Sequence, residues 1–170
     1  QNLSPEAMEA VFNPKMDAKK VEKSGEGDLV LGSAINFYGP DVTQAEVEAF
    51  YAARIDKTET EAVSWGLNST LVRNEKGQLE ERVWRIGGLY SDAISKIVEN
   101  LEKAVNYAEN EGQANALKLL IEFYKTGDLK KWDEYSIAWV EATDGDIDYI
   151  NGFIEVYNDP LGHKASYETI

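Results

Sequence analysis

The stretch that most constrains this chain is a strand-forming run that stops abruptly: Tyr149-Ile150-Asn151-Gly152-Phe153-Ile154-Glu155-Val156-Tyr157-Asn158-Asp159-Pro160-Leu161-Gly162. Phe153, Ile154, Val156 and Tyr157 favour extended backbone, and Asn158-Asp159-Pro160 followed by Gly162 ends it in a turn. Side chains alternate along a strand, which predicts Phe153, Glu155 and Tyr157 on one face and Ile154 and Val156 on the other. A carboxylate between two aromatic residues is costly to bury unless a cation or several donors meet it. Such a face suits a charged visitor.

The segments before this strand read as helices around a hairpin. Ser4-Pro5-Glu6 starts a short helix, with Ser4 as cap and Pro5 at the first helical position, and Asn13-Pro14 ends it. Lys15 to Asp28 mixes charges with glycine and reads as a solvated linker. Leu29 to Phe37 is apolar and small, and Tyr38-Gly39-Pro40-Asp41 turns the chain. Thr43-Gln44-Ala45-Glu46 is a capping box opening a helix to about Arg54, with Val47, Phe50 and Tyr51 toward the core. Trp65 to Arg73 and Leu79 to Ile86 are strand-like, joined by the loop Asn74-Glu75-Lys76-Gly77-Gln78. Neither face of the second strand is cleanly polar, which predicts that the hairpin belongs to a larger sheet.

Three amphipathic helices follow. Ile94, Ile97, Val98, Leu101, Ala104, Val105 and Ala108 keep the three-and-four spacing of a buried stripe, with Gly112 expected to mark the end. Ala114, Leu117, Leu120, Ile121 and Tyr124 repeat it, closing at Gly127. Asp128 caps a third helix bearing Leu129, Trp132, Tyr135 and Trp139. The fold class is α+β: helices packed on a small, mostly antiparallel sheet.

Charge narrows the partners. With 31 acidic and 17 basic residues among 170, the formal charge is −14, so a phosphate backbone is repelled and nucleic acid is not an expected partner. No apolar run is long enough to span a membrane and no secretory leader is visible. Without Cys there is neither a disulfide framework nor a thiol nucleophile. Starting at Gln1, the chain reads as a piece of something longer.

Candidate metal sites are sparse. Asp144, Asp146, Asp148 and Glu155 match positions one, three, five and twelve of a calcium loop, but Tyr149 occupies position six, where the turn needs Gly. An acidic turn is the simpler reading. The single His, His163, follows a Gly in a polar tail and reads as a surface residue. No residue is assigned to a metal, and neither a Ser-His-acid elbow nor a phosphate-binding loop is present.

The run Gly152-Phe153-Ile154-Glu155, with Tyr157, Asp159-Pro160 and Gly162, closely resembles the G-F-I-E-x-Y-x-D-P-x-G segment of the dipeptidyl peptidase III family of zinc aminopeptidases. Ile97 to Ala104 through Tyr107-Ala108, Tyr124-Lys125-Thr126-Gly127-Asp128 and the hairpin before them follow that family in the same order. The resemblance runs from about Leu29 to the carboxyl end, and its last segment is the most specific. It divides the chain into an amino-terminal helix and linker over 1–28 and, over 29–170, part of the lobe of a two-lobed peptidase that lacks the zinc motif.

By resemblance, Glu155 helps hold the substrate's free amino terminus and Tyr157 reaches the peptide bond being cut, so Tyr157 is the expected catalytic contact and both bind substrate. The implied protein is a zinc-dependent exopeptidase that removes dipeptides from oligopeptides, with zinc in the full-length parent and none bound by this piece. The family's zinc sequence, two His flanking a Glu-containing helical turn, has no counterpart here. This piece alone is expected to be inactive, with the zinc-bearing lobe and an oligopeptide as partners and the cytoplasm as its compartment. Two other classes remain open: a stand-alone acidic module that pairs a strand edge with an extended peptide, and a piece of a nudix-fused hydrolase, for which the Glu-rich nudix helix is missing.

Overall fold

Local capping chemistry sets the helix boundaries. In a computed structural model describing residues 3–13, 21–55 and 63–170, Ser4 accepts the Ala7 amide at 3.2 Å, and Pro5 opens α1 (Pro5–Phe12). Thr43 and Glu46 form the predicted capping box of α2 (Gln44–Ala52), whose Val47 and Tyr51 are buried. Asn110 accepts the Gln113 amide at 2.9 Å and starts α4 (Glu111–Thr126). Asp128 does the same for Lys130 at the head of α5 (Leu129–Glu141). The preceding helix, α3 (Ser91–Ala104), passes into a 3-10 turn over Val105–Tyr107, so Gly112 does not end it and lies instead in the first turn of α4. The linker expected between Lys15 and Asp28 lies outside the described residues up to residue 20.

Gly127 closes α4 in the left-handed conformation, φ +73°. A side chain there would be strained by its backbone and would also meet the Val83 methyl at 2.6 Å. The close approach lets the hairpin lie on the end of α4, where Asn68 donates to the Gly127 carbonyl at 3.1 Å and the Ile86 amide to the Tyr124 carbonyl at 3.0 Å.

The hairpin pairs β1 (Ser69–Arg73) with β2 (Leu79–Val83), antiparallel, with Ser69 opposite Val83 and Arg73 opposite Leu79. It does not join a larger sheet among the described residues: isolated parallel bridges, Tyr38 to Leu71 and, just past β2, Trp84 to Leu89, extend it. One face of the hairpin meets α2, where Leu71 packs with Val47 and Tyr51 and Glu81 accepts from the Tyr51 hydroxyl, while Arg82 on the other face is exposed. A second two-stranded sheet pairs β3 (Asn151–Glu155) with β4 (Ser166–Thr169).

Two apolar clusters result. The larger gathers Ile94, Val98, Leu101, Leu120, Phe123, Tyr124, Trp84 and Phe153 from helices, hairpin and β3. The smaller holds Val30, Tyr38, Val42, Val47, Tyr51 and Leu71 around α2.

Arg73 ties hairpin to cap, reaching Glu46 at 2.8 Å and Asp41 at 2.9 Å. The Arg73 hydrogen bond, followed by those from Thr43, holds the Glu46 carboxyl down at about 2, against 4.5 when free. A carboxyl depressed on folding stabilises the native state above its unfolded value and loses that contribution as pH falls through its folded one. Glu46→Gln is therefore expected to flatten the acid side of the stability profile between pH 4.5 and about 2, measured as urea midpoints against pH. An unchanged slope would refute the assignment.

Candidate functional site

β3 is short because its alternation breaks. Phe153 pairs with Tyr167 but Glu155 pairs with Ser166, so Ile154 is the extra residue of a bulge. Phe153 points into the core, 5.0 Å from the Trp84 ring and 6.0 Å from Tyr124. Ile154 is partly exposed. The shared face predicted for Phe153, Glu155 and Tyr157 is therefore not formed as an unbroken strand face. β3 ends at Glu155, and Tyr157 stands in the following turn, 57% exposed. The Glu155 carboxylate is half-buried, and among the described residues neither it nor the Tyr157 hydroxyl has a hydrogen-bond or ion-pair partner.

Asp159 organises the turn that carries Tyr157. Its carboxylate is nearly inaccessible and accepts from the Tyr38 hydroxyl at 2.7 Å, the His163 and Lys164 amides at 2.8 Å each and the Leu161 amide at 3.1 Å. Its own amide closes the turn onto the Val156 carbonyl at 3.0 Å. Four donors on one carboxylate offset the cost of removing it from water. Burial, with the adjacent Asp159 charge, pushes the Tyr38 phenol far above its ordinary value, so it remains a donor.

Lys164 follows, with no exposed surface. Its three N–H groups meet the Tyr51 hydroxyl, Ser69 Oγ at 3.1 Å and the Gly66 carbonyl at 3.3 Å. Tyr51 and Ser69 in turn donate to Glu81 Oε1 at 2.7 and 2.6 Å, leaving that oxygen 4.0 Å from the ammonium. The ammonium also lies 4.8 Å from the Tyr51 ring centre and 5.4 Å from that of Tyr38. Burial pushes Lys164 down to about 8, with Glu81 and Asp159 acting against it. For Glu81, burial alone would raise the carboxyl, but Ser69, Tyr51, Lys164 and Arg54 together hold it below the usual range. A polar seam thus crosses from β2 through α2 to the turn after β3.

His163 is not the surface residue its context predicts. Its ring stacks on Tyr51 at 4.5 Å, and burial lowers its proton affinity. The acidic loop is used structurally: Glu109 accepts the Asp146 amide at 3.0 Å and the Ile147 amide at 3.0 Å, and Asn110 donates to the Asp144 carbonyl. Among the described residues no group of three or more His, Asp or Glu is placed to hold a metal ion. The zinc implied by the resemblance does not fit this chain's described residues. None of the described helices is long and apolar enough to cross a membrane.

Sequence reasoning missed Lys164 and took Tyr51 as core and Asp159 as turn punctuation. A lysine in a polar tail carries no local sign of burial. The alternation of Lys164, Ser166 and Glu168 with Ala165 and Tyr167 is the one pattern that hints at β4.

With that geometry in place, its relatives are clear. The family model described as Peptidase family M49 matches residues 35–170. Dipeptidyl peptidase 3 of Dictyostelium discoideum is 25% identical over 194 residues, spanning 98% of this chain and 28% of that protein. The Homo sapiens dipeptidyl peptidase 3 is 35% identical over 81 residues, 48% of this chain and 11% of that protein. The solved structure of DPP III from Caldithrix abyssi aligns with a TM-score of 0.61 at 25% identity, over 88% of this chain and 28% of that one. Dipeptidyl-peptidase III from Corallococcus sp. strain EGB shares the fold, with a TM-score of 0.60 at 22% identity over 79% and 24% of the two chains. The fold is that of a portion of a larger peptidase. This chain belongs to peptidase family M49, and it spans less than a third of the length of these relatives.

Removing one partner of a buried charge pair strands the other, typically at ~3–5 kcal/mol. Glu81→Ala is expected to lower the unfolding free energy by about 3 kcal/mol in urea denaturation. Glu75→Ala, in the exposed hairpin loop, should change it by under ~0.5 kcal/mol. Equal values would show that the seam carries no stability.

Proposed function

We propose that these residues form one wall of the substrate cleft of a zinc-dependent dipeptidyl peptidase acting on the amino termini of oligopeptides. The single observation that supports it is the half-buried Glu155 carboxylate without a cation or donor of its own, two residues before the exposed, unpartnered phenol of Tyr157. A carboxylate left unpaired at the end of a paired strand is suited to an ammonium group, and that charge-assisted bond strengthens as water is excluded.

Glu155 holds the free amine and sets register, which determines which peptide bond reaches the reacting position. Tyr157 donates its phenolic proton to the carbonyl oxygen as charge develops there. The register bond is made in the ground state and acts mainly on KM; the phenol acts in the transition state and mainly on kcat. The metal-bearing lobe lies outside the described residues of this chain and supplies the activation of water, so this piece alone is inactive. Cytoplasmic oligopeptides are its substrates, and the part of the lobe that forms the cleft wall spans 29–170.

The test is hydrolysis of a dipeptidyl-naphthylamide by the whole protein, with and without a chelator, beside this chain alone. The whole protein is expected to cleave, the chelated protein and the isolated chain to be silent. Tyr157→Phe should depress kcat by about 10²–10³, as loss of one oxyanion donor does, while Glu155→Gln raises KM. A whole protein that releases no dipeptide would overturn the reading.

A further inference from the structure

Glu155 and Tyr157 are held by different parts of the fold. Glu155 sits in β3 and is fixed by the ladder to Ser166. Tyr157 is outside that ladder, in a turn that runs to Lys164 and that Asn158 also ties to β4 by donating to Ser166 Oγ at 2.8 Å. That turn is closed by Asp159 and bounded on its far side by Lys164, whose side chain enters the space between α2 and the hairpin. Ala165, the next residue, is anchored by its amide to the Leu67 carbonyl at 3.0 Å.

We propose that Lys164 is a positioning residue for Tyr157: its buried ammonium, bonded to Tyr51, Ser69 and the Gly66 carbonyl, fixes the far end of the turn and so the placement of the phenol. This rests on the peptidase reading above. The charged and titratable groups around the ammonium are Glu81 on β2, Asp159 and His163 in the turn, Arg54 after α2, and the Tyr51 and Tyr38 phenols. The two carboxylates face it from opposite chain segments, so the ammonium holds the turn against the hairpin by charge as well as by hydrogen bonds. An uncharged, unbranched side chain of similar length fills the space but releases both attractions. Glu81 keeps Tyr51, Ser69 and Arg54 as partners in that case.

The experiment is a double-mutant cycle in the whole protein, Lys164→Met with Tyr157→Phe, read as kcat and KM for a dipeptidyl-naphthylamide. Amide hydrogen exchange over 156–163 and over α4 is measured on the same proteins. Lys164→Met is expected to lower kcat by about tenfold with KM within about twofold, and to lose most of that effect once the phenol is absent, because coupled residues do not act additively. Exchange should quicken at least about tenfold over 156–163 and stay unchanged in α4, a local opening rather than a global one. Equal kcat losses from Lys164→Met with and without the Tyr157→Phe change, or unaltered exchange over 156–163, would overturn the assignment. Should Lys164→Met fail to fold, Tyr38→Phe removes the Asp159 hydrogen bond from the other side of the same turn and is expected to give the same pattern, smaller in size. A wild-type protein without dipeptidyl activity whose turn nonetheless loosens in Lys164→Met would fell the peptidase reading and leave the anchoring of the turn standing. An active wild type matched by Lys164→Met in both readouts would do the reverse.

Discussion

A lysine ammonium with no exposed surface is the constraint on which this structure turns. Taking such a charge out of water costs several kcal/mol, and the fold meets that cost with three hydrogen bonds, two tyrosine rings and the nearby Glu81 carboxylate. Those groups come from the segments before and after α2, from α2 itself, from β1 and from β2. Moving any one of them strands the charge, so the ammonium sets the relative placement of the elements that surround it. The seam also joins the two apolar clusters, since Tyr38 and Tyr51 belong to the smaller and Ala165 to the larger.

The bulge at Ile154 separates the supports of Glu155 and Tyr157. Had the strand run on regularly, Glu155 and Tyr157 would share one ladder and move together. The bulge lets Phe153 turn into the core while β3 stops at Glu155, which hands Tyr157 to a turn held by buried polar groups. A glycine makes the core end of this arrangement possible: a Cβ at Gly152 would run into the Trp132 indole of α5. The carboxylate is thus carried by a packed sheet and the phenol by a turn.

What was legible in the sequence was local. Caps at Ser4, Thr43 and Asp128, the Gly127 terminus and the buried stripes of α3 to α5 depend on residues within a turn or two of each other, and their side-chain chemistry states the outcome. The specific run from Gly152 to Gly162 also pointed to the family that the comparisons establish. The expected larger sheet failed because a mixed strand face is equally compatible with a helix lying against it, as α2 does at Leu71 and Glu81, and periodicity within the strand cannot distinguish the two. Lys164 was invisible for a related reason: its partners Ser69 and Tyr51 lie 95 and 113 residues away. His163 carried the same ambiguity, since nothing near it in sequence announces the Tyr51 ring.

The most direct measurement is the nuclear magnetic resonance titration of the Lys164 side-chain nitrogen, with nuclear Overhauser contacts from its ε protons. The account predicts a midpoint displaced from 10.5 to about 8 and contacts to the rings of both Tyr38 and Tyr51. A midpoint near that of a solvated lysine, about 10.4, with no contact to either ring would contradict it.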